Sequence, residues 1–438
     1  MATSVSEVFD LKFAIIADDL TGANDTGVQF ARRGLATSVL LEPDPDLAKD
    51  LDVVVIDTDS RSLAPGEAYR KVKNASEYLR QYPFEFIYKK IDSTMRGNIG
   101  AEIDAVYDVF RPDLVVIAPA YPKNKRIVNS GDFYLDGSLL HLTEMAADPK
   151  TPVTSAHIPH ILRSQTERPV GQVTAEDLRV GEAYIRRKVE TFARDETPYV
   201  VFDSVKEEDL RSIVHAVQDS RLRVVWIGSA GLANHLCKAY LKRQQAPVRR
   251  KDGPSLVLTV VGSVNRNSRS QLEQLLKTAG VEGIEMKSHL AVQGDEVAAL
   301  EKARVIRLAS QALESGRHVV LYTSGNADDI ALANQIGSAS GWDAKTVSDR
   351  ISRAIGESAA MLVRRFRLNA LVMTGGDTAK QVCSYLGVKE FQLIDEVETG
   401  MPIGMLPGEW PLYAVTKAGG FGSANALSKA LKKMQGGV

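Results

Sequence analysis

The residues with the most obvious chemical potential are Asp18, Asp19 and Asp25. They sit with Asn24 in the segment Ala17-Asp18-Asp19-Leu20-Thr21-Gly22-Ala23-Asn24-Asp25-Thr26-Gly27. Three carboxylates and an amide in one short connection accept hydrogen bonds, which suits a ligand rich in hydroxyls. They also suit a Mg²⁺ ion held partly through water. The competing explanation is helix capping by Asp25 or Thr21, which does not account for adjacent aspartates. A second set, Asp57-Thr58-Asp59-Ser60-Arg61, adds a guanidinium that can bind a carboxylate bidentately, unless Asp57 or Asp59 pairs with it at the surface.

A third set runs from Tyr88 to Asn98 and contains Lys89, Lys90, Asp92, Ser93, Thr94, Met95, Arg96 and Gly97. Cations beside a helix start favour an anion, and Asp92 is a candidate base for the attacking hydroxyl. Neighbours on a strand face opposite ways, so one of the two lysines is expected in solvent. The segment from Ala118 to Arg126 also follows a strand and is a candidate to close over the site. His157 and His160 flank Pro159 with no further ligand nearby, so no zinc site is expected.

The later half has four glycine turns: Gly262-Ser263-Val264-Asn265, Ser324-Gly325-Asn326, Gly375-Gly376-Asp377-Thr378 and Lys417-Ala418-Gly419-Gly420-Phe421-Gly422. Glycine lets backbone amides approach phosphates, so the set points to a polyanion such as ATP. Tight strand-to-helix turns are the alternative reason for some of these glycines. No G-x-x-x-x-G-K-[ST], strand-linked G-x-G-x-x-G, G-x-S-x-G or H-E-x-x-H is present, which disfavours a Walker ATPase, a dinucleotide fold, a serine hydrolase and a zinc protease.

All these segments must be held by strands. Lys12–Ala17, Ala36–Leu41, Val53–Asp57, Phe86–Lys90 and Leu114–Ala118 read as buried strands, with helices over Gly66–Leu79 and Ile99–Val109 between them. One helix is expected over Ala175–Ala193, capped by Thr174, then a strand at Tyr199–Asp203, a helix at Glu207–Gln218 and a strand at Arg223–Ile227. After the polar, basic stretch Lys242–Pro254 the pattern restarts. Strands are expected at Leu256–Val261, His318–Thr323, Ala370–Thr374 and near Leu412–Val415, with helices at Arg269–Thr278 and Val347–Phe366. Such alternation predicts an α/β fold of two domains with mainly parallel sheets. The expected boundaries are 1–241, a linker over 242–254, and 255–438. Ligands in such sheets lie at the C-terminal ends of strands, where every motif above falls.

The chain has 438 residues, enough for two cores, with 44% hydrophobic and 25% charged residues. With 54 Lys+Arg against 55 Asp+Glu the net charge is −1, which gives no reason to expect nucleic acid or a membrane surface as partner. The 2 cysteines, Cys237 and Cys383, read as free buried thiols. Met1 to Asp10 lacks a secretory pattern, and a cytoplasmic protein is expected.

The combination resembles the four-carbon acid sugar kinase family. The resemblance rests on Ile16 to Gly27, Asp59-Ser60-Arg61, Lys90 to Asn98, Gly262-Ser263, Thr374-Gly375-Gly376-Asp377-Thr378-Ala379 and Lys417 to Gly422, in that order, from about Phe13 to Leu427. It implies a substrate domain, a nucleotide domain and an active site in the cleft between them. It also implies ATP-dependent phosphorylation of D-threonate, D-erythronate or a 3-oxo-tetronate at the terminal hydroxyl, with Mg²⁺. By resemblance the substrate contacts are Asp18, Asp19, Arg61, Lys90, Asp92, Ser93, Thr94, Met95, Arg96 and Gly97. The nucleotide contacts are Ser263, Thr374, Gly375, Gly376, Asp377, Thr378, Gly419 and Gly420. Asp92 is the expected base, with Asp377 and Asp19 next. A dinucleotide-dependent oxidoreductase or isomerase of sugar acids and a non-catalytic sensor are the rival readings. A homodimer and a monomer are not distinguished by the sequence.

Overall fold

The computed structural model describes residues 12–44, 51–148, 150–240 and 255–436. The expected linker over 242–254 and the stretch Met1 to Asp10 lie outside these residues.

The first part of the chain forms β1 (Phe13–Ala17), α1 (Leu20–Ala31), β2 (Thr37–Leu40), β3 (Val53–Asp57), α2 (Pro65–Leu79), β4 (Phe86–Lys90), α3 (Ile99–Phe110) and β5 (Leu114–Ala118). Three short strands follow, β6 (Arg126–Asn129), β7 (Asp132–Leu135) and β8 (Ser138–Leu139), then α4 (Ile158–Arg163) and β9 (Val170–Val173). The half ends with α5 (Ala175–Val180), α6 (Glu182–Arg194), β10 (Tyr199–Phe202), α7 (Glu207–Gln218), β11 (Val224–Gly228) and α8 (Ala230–Tyr240).

The second part contains β12 (Val257–Val261), α9 (Arg266–Leu276), β13 (Val281–Met286), α10 (Ser288–Ala291), α11 (Asp295–Glu314), β14 (His318–Thr323), α12 (Ala327–Ala339) and α13 (Ala344–Phe366). It closes with β15 (Ala370–Thr374), α14 (Gly376–Leu386), β16 (Glu390–Glu396), β17 (Pro402–Leu406), β18 (Leu412–Lys417) and α15 (Ala426–Gln435).

The expected strands form because their apolar runs are buried on both faces, as covered parallel sheets require; β1, β3 and β5 are buried throughout. The single helix expected over 175–193 is two helices. Gly181 adopts φ 116°, a conformation that a helix cannot contain, so α5 stops there and α6 starts anew. Strands β13, β16 and β17 and helices α8, α11 and α12 were not anticipated.

The two expected sheets are joined. Fifteen strands form one sheet in the order β13-β14-β12-β15-β18-β17-β16-β2-β3-β1-β4-β11-β5-β10-β9, while β6, β7 and β8 form a separate small sheet. The junction is antiparallel, with Phe391 of β16 opposite Val39 of β2. This pairing covers the backbone groups that an edge strand β2 would leave open. One apolar core spans the junction and contains Phe13, Leu20 and Phe30 together with Met373, Val382 and Phe391.

This order places the motifs. β1 lies between β3 and β4, with Ala17 opposite both Asp57 and Lys90, so three motif-bearing strand ends are adjacent. Likewise β15 lies between β12 and β18, with Thr374 opposite Val261 and Lys417.

Candidate active site

Asp19 directly precedes α1 and caps it. Its carboxylate accepts from the Gly22 N–H at 3.0 Å and from the Thr21 hydroxyl at 2.5 Å. Neither Thr21 nor Asp25 is the cap. Asp18, buried at the end of β1, accepts Arg61 Nε at 2.7 Å and Nη2 at 2.9 Å, and the same Nη2 reaches Asp19. Arg61 therefore does not pair with Asp57 or Asp59. The Asp57 carboxylate accepts the Asp59 N–H at 2.9 Å, and Asp59 meets Lys380 of α14. Burial alone would raise the Asp18 carboxyl; Arg61 and Lys90 outweigh it and hold the group below its ordinary value.

Asp92 is gripped from several sides. Arg96 donates to it through Nε at 2.8 Å and Nη2 at 3.1 Å, and the Thr94 hydroxyl also donates to it. Burial pushes the Asp92 carboxyl up, but Arg96 and Arg61 overcome this and hold it well below the usual carboxylate range. The remaining Arg96 nitrogen, Nη1, donates to Asp148 at 2.9 Å. Ser93 and Met95 are buried beside it. Gly97 has φ 98°, and a methyl group there would lie 3.1 Å from the Arg61 carbonyl oxygen, so the turn needs glycine.

The two lysines of β4 do face opposite ways, but neither is in solvent. Lys89 is fully buried and pairs with Glu102 of α3 at 2.6 Å. Lys90 lies over the first turn of α1, where a methyl group on Gly22 would come within 2.7 Å of its Nζ. Its Nζ donates to the Ile91 carbonyl at 2.7 Å, and no carboxylate among the described residues pairs with it.

In the second half, three of the four glycine turns converge on Ser263. A methyl on Gly419 would lie 2.7 Å from the Ser263 hydroxyl, and one on Gly375 would lie 3.3 Å from the Ser263 nitrogen. Gly262 admits the hydroxyl of Thr378, onto which a methyl would fall. Thr374 is buried below them, and Gly420 faces open space. The fourth turn is filled by Arg269, whose Nη1 donates to the Thr323 carbonyl at 2.7 Å. Lys417, also buried, donates to Ser268 at 3.0 Å and to the Gly419 carbonyl at 3.0 Å. Burial pushes its ammonium down to about 7.

The halves meet at the start of α14, where a methyl on Gly376 would lie 3.3 Å from Asp19 Oδ2. Asn24 of α1 donates to Thr416 of β18 at 3.0 Å. Lys150 pairs with Asp377 at 2.9 Å and with Asp349 at 3.0 Å, and Lys345 donates to the Ser62 carbonyl at 3.0 Å. A cavity of about 340 Å³ opens beside this seam, lined by Arg61, Met95, Gly97, Asn98, Lys150 and Gln165.

The residues anticipated on each side are thus brought to one crevice. Lys150, Asp148 and Glu102 were not anticipated, since isolated charges in helices or loops carry no motif. Among the described residues no group of three His, Cys, Asp or Glu could hold a metal ion. His157 accepts the His160 N–H at 3.3 Å, a local helix cap. No helix among the described residues is long and apolar enough to cross a membrane.

A half of clustered aspartates and arginines closed on a half of glycine turns is an architecture suited to a small-molecule kinase. Two family models match accordingly: a sugar-binding N-terminal domain over residues 13–236 and a nucleotide-binding C-terminal domain over residues 258–427. The chain belongs to the four-carbon acid sugar kinase family. It is 34% identical to a D-threonate kinase of Salmonella typhimurium over 96% of this chain and 98% of that one. It is 31% identical to a D-erythronate kinase of Heliobacterium modesticaldum over 94% of each chain. A 3-oxo-tetronate kinase of Pseudomonas fluorescens is 29% identical over 96% of this chain and 97% of its own. A solved structure from Haemophilus influenzae shares the fold, with a TM-score of 0.72, 24% identity, and coverage of 96% of this chain and 100% of that one.

Proposed function

We propose that this kinase transfers the γ-phosphoryl group of ATP to the terminal hydroxyl of a four-carbon sugar acid: D-threonate, D-erythronate or a 3-oxo-tetronate. Residues 1–241 would hold the acid and residues 255–438 the nucleotide. The observation that carries the reading is the approach of Gly376, at the N-terminus of α14, to Asp19, whose carboxylate in turn binds Arg61. A helix N-terminus favours phosphate, and the Asp19 carboxylate, with Arg61 bound to it, lies against this one.

Arg61 is the better receptor for the substrate carboxylate. All three guanidinium nitrogens of Arg96 are engaged, whereas Arg61 uses only Nε and Nη2. Asp18 and Asp92 act chiefly as anchors for the two arginines. Lys90, without an acidic partner among the described residues, is suited to an anionic oxygen, and Lys417 with the Ser263, Gly375–Thr378 and Gly419–Gly420 turns is suited to the triphosphate. Mg²⁺ binds with few protein ligands when a nucleotide supplies oxygens; Asp19 and Asp377, the acids at the seam, would hold it there and it would neutralise charge on the phosphates. Positioning and charge neutralisation supply most of the rate in such transfers. Buried free thiols at Cys237 and Cys383 fit a cytoplasmic compartment.

The test is ADP release with ATP, Mg²⁺ and a panel of C4 to C6 aldonates and oxo-acids. ADP formed with a four-carbon acid is expected. Nicotinamide absorbance change without ADP would point to the oxidoreductase, and binding heat without ADP to the sensor.

A further inference from the structure

The three carboxylates expected as bases are all engaged: Asp92 by Arg96 and Thr94, Asp19 by Arg61, Thr21 and Gly22, and Asp377 by Lys150. Asp57 is turned to a backbone N–H. One carboxylate of the acidic motif is different. Asp25, on α1, is 7% exposed, and its Oδ1 is buried with no hydrogen-bond partner among the described residues. A buried acceptor of this kind is costly to leave unmade, so it calls for an explanation in the function of the site.

A cation in the same condition stands at the start of β6. Arg126 is 8% exposed, and among the described residues its Nε is buried without a partner and no acid forms an ion pair with it. Its guanidinium lies over the ring of Phe421, 4.5 Å from the centroid. Phe421 belongs to the turn that carries Gly419 and Gly420. That turn is clamped to α9, with Gln271 and Asn267 donating to the Phe421 carbonyl at 3.1 and 3.2 Å. Arg126 is thus a residue of the sugar-acid half seated on a phosphate turn of the nucleotide half. Asp92 and Asp25 act on the guanidinium from beyond ion-pairing distance, while its flat face rests on Phe421, which leaves its N–H edge for a ligand.

We propose that Asp25 and Arg126 form the reacting end of the crevice, with Asp25 accepting the proton of the attacking hydroxyl and Arg126 donating to the phosphoryl group in transit. This rests on the kinase reading above. The hydroxyl oxygen forms a bond to the γ-phosphorus as the bond from that phosphorus to the bridging β,γ-oxygen breaks. ADP leaves with the bonding pair, and the hydroxyl proton passes to Asp25. Burial pushes the Asp25 carboxyl up to about 7, against the pull of Lys90, with Glu396 raising it further, Arg126 lowering it and Asp19 raising it. That places it in the range a general base needs at neutral pH. Lys90 on β4, Glu396 on β16, Arg126 on β6 and Asp19 ahead of α1 are the charged groups acting on it, and the phenols of Tyr88 on β4 and Tyr121 after β5 lie within its field.

The test uses Asp25→Asn, Arg126→Ala and Arg126→Lys in the full chain, with wild-type ADP release on the four-carbon acids as the reference. Asp25→Asn should lower kcat about 10²- to 10⁴-fold, and Arg126→Ala about 10³-fold or more. Both should bind sugar acid and ATP within about threefold of wild type, given that these contacts serve the transition state rather than the ground state. Guanidinium added to Arg126→Ala should restore part of kcat, and Arg126→Lys should lie between, which a purely structural arginine would not show. The acid limb of wild-type kcat near pH 7 should disappear in Asp25→Asn. Near-normal kcat in either alanine or asparagine variant overturns the proposal, as does a loss confined to sugar-acid affinity or an acid limb that persists in Asp25→Asn. A wild-type protein that releases no ADP overturns the kinase reading itself, a separate outcome.

Discussion

Arg61→Ala removes the guanidinium that neutralises Asp18 through two bonds of 2.7 and 2.9 Å and also reaches Asp19. The pair is largely buried, with side-chain exposures of 17% for Arg61 and 4% for Asp18. Removing one partner of such a pair costs about 3–5 kcal/mol, because the other charge stays buried and unpaired. The pH dependence has a defined sign. In the wild type the Asp18 carboxyl is held below its unfolded value by Arg61 and Lys90 against the effect of burial. Its contribution is therefore present above about pH 4 and lost as pH falls through the folded value. Without Arg61 the burial effect gains weight and the folded value rises above the unfolded one. The deficit of the variant should then be greatest near pH 7 and shrink only as pH falls below about 4, the unfolded value, where the variant's folded and unfolded states both bind the proton. Urea unfolding midpoints at several pH values measure it, and Asp18→Asn in the Arg61→Ala background should recover most of the loss at pH 7. If Arg61 also takes the substrate carboxylate, a charge-assisted bond of about 1.5–3 kcal/mol is lost and KM for the acid rises about ten- to a hundredfold. A deficit independent of pH, or no recovery from Asp18→Asn, would refute the electrostatic reasoning. Unchanged KM in a folded variant would remove Arg61 from the site.

Two further outcomes follow from the nucleotide half. Burial lowers Lys417 to about 7, so the free enzyme carries this charge below pH 7 and loses it above; KM for ATP should rise as pH increases past 7, by at most about tenfold per unit, and Lys417→Met should flatten the profile. A wild-type KM for ATP that does not change between pH 6 and 9 would count against Lys417 as a phosphate ligand. Gly262→Ala places a methyl group on the Thr378 hydroxyl, so the Ser263 turn must shift; ATP affinity should fall at least tenfold while sugar-acid binding by calorimetry stays within about twofold. Equal loss of both ligands would mean that the turn supports the whole crevice rather than the nucleotide alone.

The chain by itself determined where chemistry could sit. Apolar runs ending in Asp18-Asp19, Asp57 to Arg61, Lys90 to Gly97 and Thr374 to Thr378 define strand ends, because burial of β-branched runs and the needs of tight turns are local matters. The same local logic predicted that Lys89 and Lys90 point opposite ways. It could not say where each points, because that depends on Glu102, a helix residue whose position only packing sets. Pairings across long separations were equally invisible: Arg61 with Asp18, 43 positions apart, and Lys150 with Asp377, 227 apart. The joining of the sheets through β16 and β2 belongs to this class, since an antiparallel edge pairing leaves no periodic trace in either strand. Asp25 is the sharpest case. Sequence places it in the acidic motif beside Asp18 and Asp19 and offers helix capping as its bland role. Only the folded chain assigns the cap to Asp19 and leaves a buried oxygen of Asp25 unpartnered, because partnership is a property of the three-dimensional neighbourhood and not of spacing along the chain.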